Sequence, residues 1–368
     1  MFGDLVTPAA LVDVDVFAAN TGRGVRRAAE LGVDLRPHAK TVKSPELLGS
    51  VVAAGASGLT VSTLGELRTL AAVSTDIMYA VPVAAGKSSA LLEALGDAPI
   101  RLTVVVDSVS GLFGVPSDPR IDVAIEIDCD GHRGGVRPDD PRVYDLADQI
   151  GEHHRLRGVM THGGGSYLLG ASEVPMLAAA ERDAVVGVAA GLRDRGHDVD
   201  LVSVGSTPTF FGVDHLSGVS EARPGVYLFG DLSMVALGVM RPTELALSTL
   251  ATVVGVVDRG HRALIDAGWS ALSQDRGVPA LEGLTGLGSV TTAGLDRSDS
   301  ELIVSEANQE HGFVTMRTGG PTGLEVGERV RVWPNHACAT GEMHSRLALV
   351  RGEEVIGRAE RPRGWGPA

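Results

Sequence analysis

Four groups of polar and ionisable residues stand directly behind short apolar runs. After VDLR (33–36) come Pro37, His38, Lys40, Thr41 and Lys43. After DVAIEI (122–127) come Asp128, His132 and Arg133, and after RGVMT (157–161) come His162, the triple glycine Gly163–Gly165, Ser166 and Tyr167. After LVSV (201–204) come Gly205, Ser206, Thr207, Pro208 and Thr209. Lys40 lies beside His38 and Lys43, and a lysine whose pKa is lowered by neighbouring positive charge can act as a Schiff-base nucleophile. Taken alone, a solvated surface lysine is the commoner outcome. Gly205-Ser206-Thr207 combines small residues, hydroxyls and backbone N–H groups that can surround a phosphate, as late βα loops often do; an ordinary turn is the plainer reading. Arg133 follows the acidic stretch EIDCDGH and serves either a site or a surface ion pair. Farther on, His336 and Cys338 share a face if the backbone is extended, and both are good Zn²⁺ ligands. Two residues are not a site, and a buried strand-end pair is the simpler alternative. Glu310-His311-Gly312 and Asp266-Ala267-Gly268 also end strands, where they can equally be turn formers.

These clusters need elements to carry them. From Leu11 to about Asp231, apolar runs alternate with Ala/Leu/Glu/Arg-rich helical stretches. Nine runs appear, near 11–14, 33–36, 58–61, 77–80, 102–106, 122–127, 157–161, 201–204 and 226–229. Strict alternation argues for parallel strands covered by helices, and continuous apolarity for burial on both faces. Nine is one more than a (β/α)₈ barrel requires, and a doubly wound open sheet competes. In both architectures ligands bind at the C-terminal ends of the strands, so four clusters on one rim would make one site. Beyond Asp231 long helices cease and strand patterns with turns predict an all-β domain, giving expected domains of 1–235 and 236–368. The last residues, GRAERPRGWGPA, are expected to form a loosely held terminus.

Composition excludes several classes. Lys and Arg number 32 against 46 Asp and Glu, a net charge of −14, which is unsuited to general nucleic-acid binding. Two cysteines, Cys129 and Cys338, cannot form a disulfide framework. The acidic N-terminal segment is unlike a secretory signal, and no apolar run approaches ~18 residues, so no membrane span and a cytoplasmic location are expected.

Arg36-Pro37-His38-Ala39-Lys40-Thr41-Val42-Lys43 resembles the RPHxKTxK motif around the pyridoxal phosphate (PLP) lysine of the D-serine dehydratase and D-threonine aldolase family, whose members have the alanine-racemase type of fold. Further resemblances follow in the family's order: TPAALVDVDVFAAN, Glu126-Ile127-Asp128 with Gly131, Arg133 and Gly135, THGGGSY, VGSTPT, Arg223-Pro224-Gly225-Val226-Tyr227, DAGWSALSQDRG, QEHG and PNHAC. The resemblance implies an α/β protein with a (β/α)₈ barrel plus a C-terminal β domain, whose sheet takes the first strand, and a homodimer with interfacial active sites. It implies Lys40 as Schiff-base lysine and base at the substrate Cα, Arg133 on the cofactor's phenolic oxygen, and His162 against its ring. Tyr167 would reach the phosphate or the substrate, Gly205, Ser206 and Thr207 would hold the phosphate, and Arg223 would face the pyridine nitrogen. His336 and Cys338 would hold a divalent metal beside the cofactor, with Zn²⁺ favoured by thiolate and imidazole. In the family a His-x-Cys pair goes with the dehydratases and His-x-Asp with the aldolases. The implied activity is therefore Zn-assisted loss of hydroxide and ammonia from D-serine, D-threonine or a related 3-hydroxy-D-amino acid. D-threonine aldolase cleavage and a non-catalytic PLP-binding protein are the alternatives.

Overall fold

The computed structural model describes residues 2–3, 5–168, 170–278, 284–292 and 300–365. Packing divides the chain into two units. One takes the N-terminal segment to Thr21 together with Val226–Arg361; the other takes Gly22–Gly225 with the residues from Pro362 onward.

The strand of the first unit that comes first in the chain is β1 (Ala9–Asp13), followed by helix α1 (Val14–Leu31). The second unit then runs β2 (Asp34–Leu35), α2 (Pro45–Ala53), β3 (Leu59–Val61), α3 (Leu64–Leu70), β4 (Asp76–Tyr79) and α4 (Ser88–Leu95). It continues β5 (Arg101–Val106), α5 (Val109–Leu112), β6 (Ile121–Ile127), α6 (Arg142–His153), β7 (Arg155–Thr161), α7 (Val174–Asp194), β8 (Leu201–Val204), α8 (Thr207–Gly212) and β9 (Glu221–Ala222). Every pairing is parallel, in the order β2-β9-β8-β7-β6-β5-β4-β3. A parallel bridge between His38 and Thr60 joins the two edges, so the sheet is a closed eight-stranded barrel rather than an open one. All seven residues of β6 are buried, which is why its sequence shows no alternation. Met78, Val105, Ala124, Met160 and Leu201 pack together across five neighbouring strands.

The ninth apolar run is the one misread. Val226–Leu228 form a buried 3₁₀ turn, and the last barrel strand is Glu221–Ala222, two residues long and opened by an acid. Too short to show a period, it takes its place from backbone bonds to β2 and β8.

The first unit continues with α9 (Leu232–Ala236), β10 (Leu247–Val257), β11 (Arg262–Ile265), α10 (Trp269–Leu272), β12 (Gly288–Thr292), β13 (Leu302–Ala307), β14 (Gly312–Met316), β15 (Arg329–Pro334), α11 (Ala337–Glu342), β16 (Arg346–Arg351) and β17 (Glu354–Glu360). Strands β11, β14, β13, β12, β15 and β10 close on themselves, because the long β10 pairs with β15 over its first half and with β11 over its second. Ala251, Val253, Ile265, Val290, Val304, Val314 and Val332 fill that closed sheet. Strand β1 joins here, antiparallel to β10 and parallel to β16. The terminus is not loosely held as far as it was expected to be. Gly357–Glu360 belong to β17, and Arg361 is buried with its guanidinium on Glu342 at 3.0 Å. Residues 366–368 of that segment lie outside the described residues. Among the described residues no helix is long and apolar enough to cross a membrane.

Candidate functional site

The Lys40 loop leaves the barrel between β2 and α2, and neighbours on both sides fix its backbone. The N–H of His38 donates to Pro224 O at 3.0 Å, and that of Thr60 to Pro37 O at 3.0 Å. A 3₁₀ turn over Ala39–Thr41 follows, with His38 at its N-cap. The Lys40 N–H donates to His38 Nδ1 at 3.4 Å, while His38 Nε2 lies 3.1 Å from Ser62 Oγ. With Nδ1 accepting, Nε2 carries the proton and His38 is a neutral imidazole. Gly225 is required behind it, since a Cβ there would lie 3.0 Å from both His38 Cβ and His38 O. The loop ends at Lys43, which holds φ at +55°, a region costly for a residue with a side chain. A buried ion pair keeps it there: Lys43 Nζ is 3.3 Å from Glu66 Oε1, and Glu66 Oε2 accepts the Ser62 N–H at 2.7 Å. The motif's second lysine thus shapes the turn that presents the first.

The loops after β6, β7 and β8 are tied to one another. Asp130 accepts the His132 N–H at 3.0 Å and the Gly165 N–H at 2.8 Å, linking the β6 and β7 loops. Tyr167 Oη accepts the Thr207 N–H at 3.3 Å, and Thr207 Oγ1 accepts the Gly225 N–H at 3.3 Å. Ser206 caps α8 through its Oγ, which accepts from Thr209 N at 3.1 Å. Gly205 must lack a side chain: a Cβ would meet Arg223 Cβ at 3.1 Å. Arg223 is buried beneath it and donates to Ser203 Oγ and Thr161 O. The rings of His162 and Tyr167 are 6.1 Å apart.

Charge draws these loops into one environment. Burial, then the positive charges of Lys40, Arg133 and Arg223, holds the His162 imidazole well below its ordinary pKa. The same causes, with His162 added, hold His38 down. Burial also lowers Arg223, against the opposing pull of Glu221, Glu181 and Glu126. Burial pushes the Glu126 carboxyl up to about 7, with Asp107 and Asp128 adding to the rise and Arg223 and Arg133 opposing it. Lys40, Arg133, His162 and Arg223 are therefore brought together. Arg133 is exposed and makes no ion pair with a described residue, so it is available to an anion. A rim where two histidines stay neutral among three cations suits an anionic cofactor. Small buried residues at 205–207, with Tyr167 against them, suit its phosphate.

The second candidate region lies in the other unit. His336 and Cys338 do not sit on one strand face, as extended spacing predicted. The strand β15 stops at Pro334, His336 is the N-cap of α11, and Cys338 lies in that helix. The two side chains nevertheless hydrogen-bond each other across the strand-to-helix corner. His336 Nδ1 is 2.7 Å from Asp275 Oδ2, a contact 61 residues away in sequence that no local pattern announces. Burial opposes a proton on His336, but bonds to Asp275 and Cys338 and the nearby Asp231 outweigh it, pushing the imidazolium up to about 11. The buried Asp231 accepts the Ala337 N–H at 3.0 Å and the Met234 N–H at 3.0 Å, fixing the corner's backbone. A carboxylate on one ring nitrogen is the usual arrangement around ligating histidines, and a metal on the other nitrogen would take the place of its proton and of the bond to Cys338. Among the described residues no third His, Cys, Asp or Glu completes a cluster. A cation held here by imidazole and thiolate would keep open positions, as catalytic rather than structural zinc does. Elsewhere, Asp266 is taken up by structure, accepting the Thr252 N–H at 2.7 Å, and His311 lies exposed in the β13–β14 turn.

The chain is similar to known proteins along almost its whole length. Residues 12–233 match the family model for the alanine racemase N-terminal domain, and 246–350 match the one described as "Putative serine dehydratase domain". D-threo-3-hydroxyaspartate dehydratase of Delftia sp. HT23 is 41% identical over 98% of both chains. The chain belongs to the D-serine dehydratase and D-threonine aldolase family, on the alanine-racemase fold. It is an enzyme, a PLP-dependent lyase. The solved Delftia dehydratase covers 98% of this chain and 99% of its own, with a TM-score of 0.93. Its solved forms include a Cys-to-Ala variant in the metal-free form and a His-to-Ala variant, the altered positions two residues apart. D-serine dehydratase of Dictyostelium discoideum is 30% identical over 98% of this chain and 97% of its own. D-threonine aldolase of Arthrobacter sp. is 29% identical over 94% and 89%.

Proposed function

We propose that this enzyme is a metal-assisted dehydratase that removes water and then ammonia from 3-hydroxy-D-amino acids. The carrying observation is the His336–Cys338 pair with Asp275 on the histidine's second nitrogen. Its two-residue spacing equals that of the histidine and cysteine altered in the Delftia dehydratase. That dehydratase's substrate, D-threo-3-hydroxyaspartate, comes first among candidates, ahead of D-serine and D-threonine.

PLP, when bound, supplies an electron sink for charge developing at Cα. Lys40 anchors the cofactor and takes the α-proton, and the His38 cap and the Lys43–Glu66 pair fix the direction of its backbone. Arg133 and Arg223 contribute positive charge, and Gly205, Ser206 and Thr207, with Tyr167 against them, hold the phosphate. His162 would meet the cofactor's ring as a neutral imidazole, adding no charge to the rim. Hydroxide is a poor leaving group, and His336 and Cys338 would hold a divalent cation, Zn²⁺ in the first instance, that would supply Lewis acidity to it. The Cα–H and Cβ–O bonds break, water leaves, and the free enamine hydrolyses to a 2-oxo acid and ammonia. The reading carries with it a homodimer, to be checked by light scattering.

D-Threonine, incubated with purified protein, PLP and Zn²⁺, separates the outcomes. The expected products are 2-oxobutanoate and ammonia. Glycine and acetaldehyde would make the protein an aldolase, and PLP bound without turnover of any 3-hydroxy-D-amino acid would make it a carrier.

A further inference from the structure

The corner at His336 depends on an asparagine to which the PNHAC resemblance gives no role. Asn335, between Pro334 and His336, is 1% exposed. Its side-chain Nδ2 donates to Arg276 O at 3.1 Å and to Gly286 O at 3.2 Å. Both partners are carbonyls, which only accept, so the amide nitrogen must face them and uses both of its protons there. The backbone of the same residue is held from the other side, where Asn335 O accepts the Ser233 hydroxyl at 2.7 Å and the Ser233 N–H at 3.3 Å. Gly277 closes the contact. Its φ is +75°, and a Cβ there would lie 2.6 Å from Ser233 Oγ and 3.2 Å from Asn335 Cβ.

These bonds decide where Asp275 stands. Its Oδ1 accepts the Gly277 N–H at 2.8 Å, while its Oδ2 meets His336 Nδ1 at 2.7 Å. Residues 275–277 belong to no helix or strand, since α10 ends at Leu272 and β12 begins at Gly288. The Asn335 amide on Arg276 O, one residue from Asp275, ties that loop to the corner. We infer that Asn335 is a positioning residue for the metal pair: its amide holds the Asp275 loop against the residue that leads directly into His336, so that Asp275 orients the imidazole before a cation arrives. One residue thus fixes both partners of the contact, His336 through the chain and Asp275 through the side chain. A residue needed only to fill space would not require two donors, and leucine has nearly the same shape. The inference rests on the reading of His336 and Cys338 as metal ligands.

Zinc affinity of the full chain, measured by chelator competition with no substrate present, tests it. Asn335→Leu keeps the shape and removes both donors. It should weaken zinc binding by about 10-fold, the low end of what losing an outer partner of a metal ligand costs. A double-mutant cycle shows whether the effect passes through Asp275. In an Asp275→Asn background the same substitution should cost less than about twofold, because the contact it positions is already lost. Losses that add in full would overturn the inference. So would an Asn335→Leu variant that loses thermal stability but keeps the wild-type zinc affinity. Should Asn335→Leu not fold, Gly277→Ala disturbs the same contact from the half-buried loop, where both its φ and the nearby Ser233 Oγ oppose a side chain. It too should weaken zinc binding, and an unchanged affinity would overturn the inference. A wild type that takes up no zinc would end the metal reading and this inference with it, whereas zinc binding with additive losses leaves that reading standing.

Discussion

Two regions of the barrel unit hold buried charge, and they treat it in opposite ways. Toward the strand starts, Arg36 reaches Glu221 at 2.8 Å and Asp76 at 3.0 Å, Arg157 reaches Asp76 at 2.7 Å, and Ser203 donates to Glu221 at 2.6 Å. Two cations stand against two carboxylates, each met by short bonds. At the strand ends the principal charges felt by His38 and His162 are positive, from Lys40, Arg133 and Arg223. The matched region needs no ligand to be satisfied, whereas the rim stays positive until an anion arrives. Arg223 lies between them, bonded to Ser203 below and packed under Gly205 above. Charge that is balanced maintains the fold, and the positive charge gathered around His38 and His162 marks the site.

This contrast can be broken by substitution. Lys40→Ala should lower turnover by about 10⁴-fold or more. It should shift the unfolding free energy of the apo-protein by only about 1 kcal/mol, the ordinary size for a substitution at a half-buried position. Glu221→Leu should do the reverse. It leaves Arg36 buried without one of its partners and should cost about 3–5 kcal/mol in urea unfolding, with activity per folded molecule largely kept. Equal losses of stability in the two variants would erase the distinction.

The other unit sharpens the comparison at smaller scale. Asp275→Asn should weaken metal binding by about 10- to 100-fold in a chelator competition, because His336 loses the group that orients it. The absorbance of the Lys40-bound cofactor should not change. A parallel loss of cofactor would mean that Asp275 supports more than the metal corner.

The smallest effect is one of pH. An unfolded histidine titrates near 6.5, whereas His162 in the fold titrates well below it. Between those values only the unfolded chain takes up the proton, so stability contributed by neutral His162 is complete above about pH 6.5 and is lost as pH falls through that window. The apo-protein's unfolding free energy should therefore drop less steeply below pH 6.5 in His162→Asn than in the wild type. Identical slopes would place His162 in an environment like water.

How much of this could be read from the chain follows from the range of each signal. Strands such as β6 were legible because burial on both faces leaves an uninterrupted apolar run. Strand β9 was not, since two residues opened by a glutamate carry no pattern, and the nearby apolar Val226–Phe229 drew the assignment instead. Lys40 and Gly205–Thr207 stood out because strand ends concentrate chemistry locally. Asp275 did not, because it acts on a loop distant in sequence. His336 and Cys338 were found for an incomplete reason: side-chain chemistry named them, but a strand-to-helix corner, not an extended face, brings them together.

The central claim is that the cationic rim is a PLP cradle with Lys40 as its covalent anchor. Borohydride reduction of the PLP-loaded protein, followed by peptide mass mapping, tests it most directly. The account predicts a single pyridoxyl label on Lys40, absent from Lys40→Ala. A label on Lys43 or Lys87, or no label in a protein that still turns over D-amino acids, would contradict it.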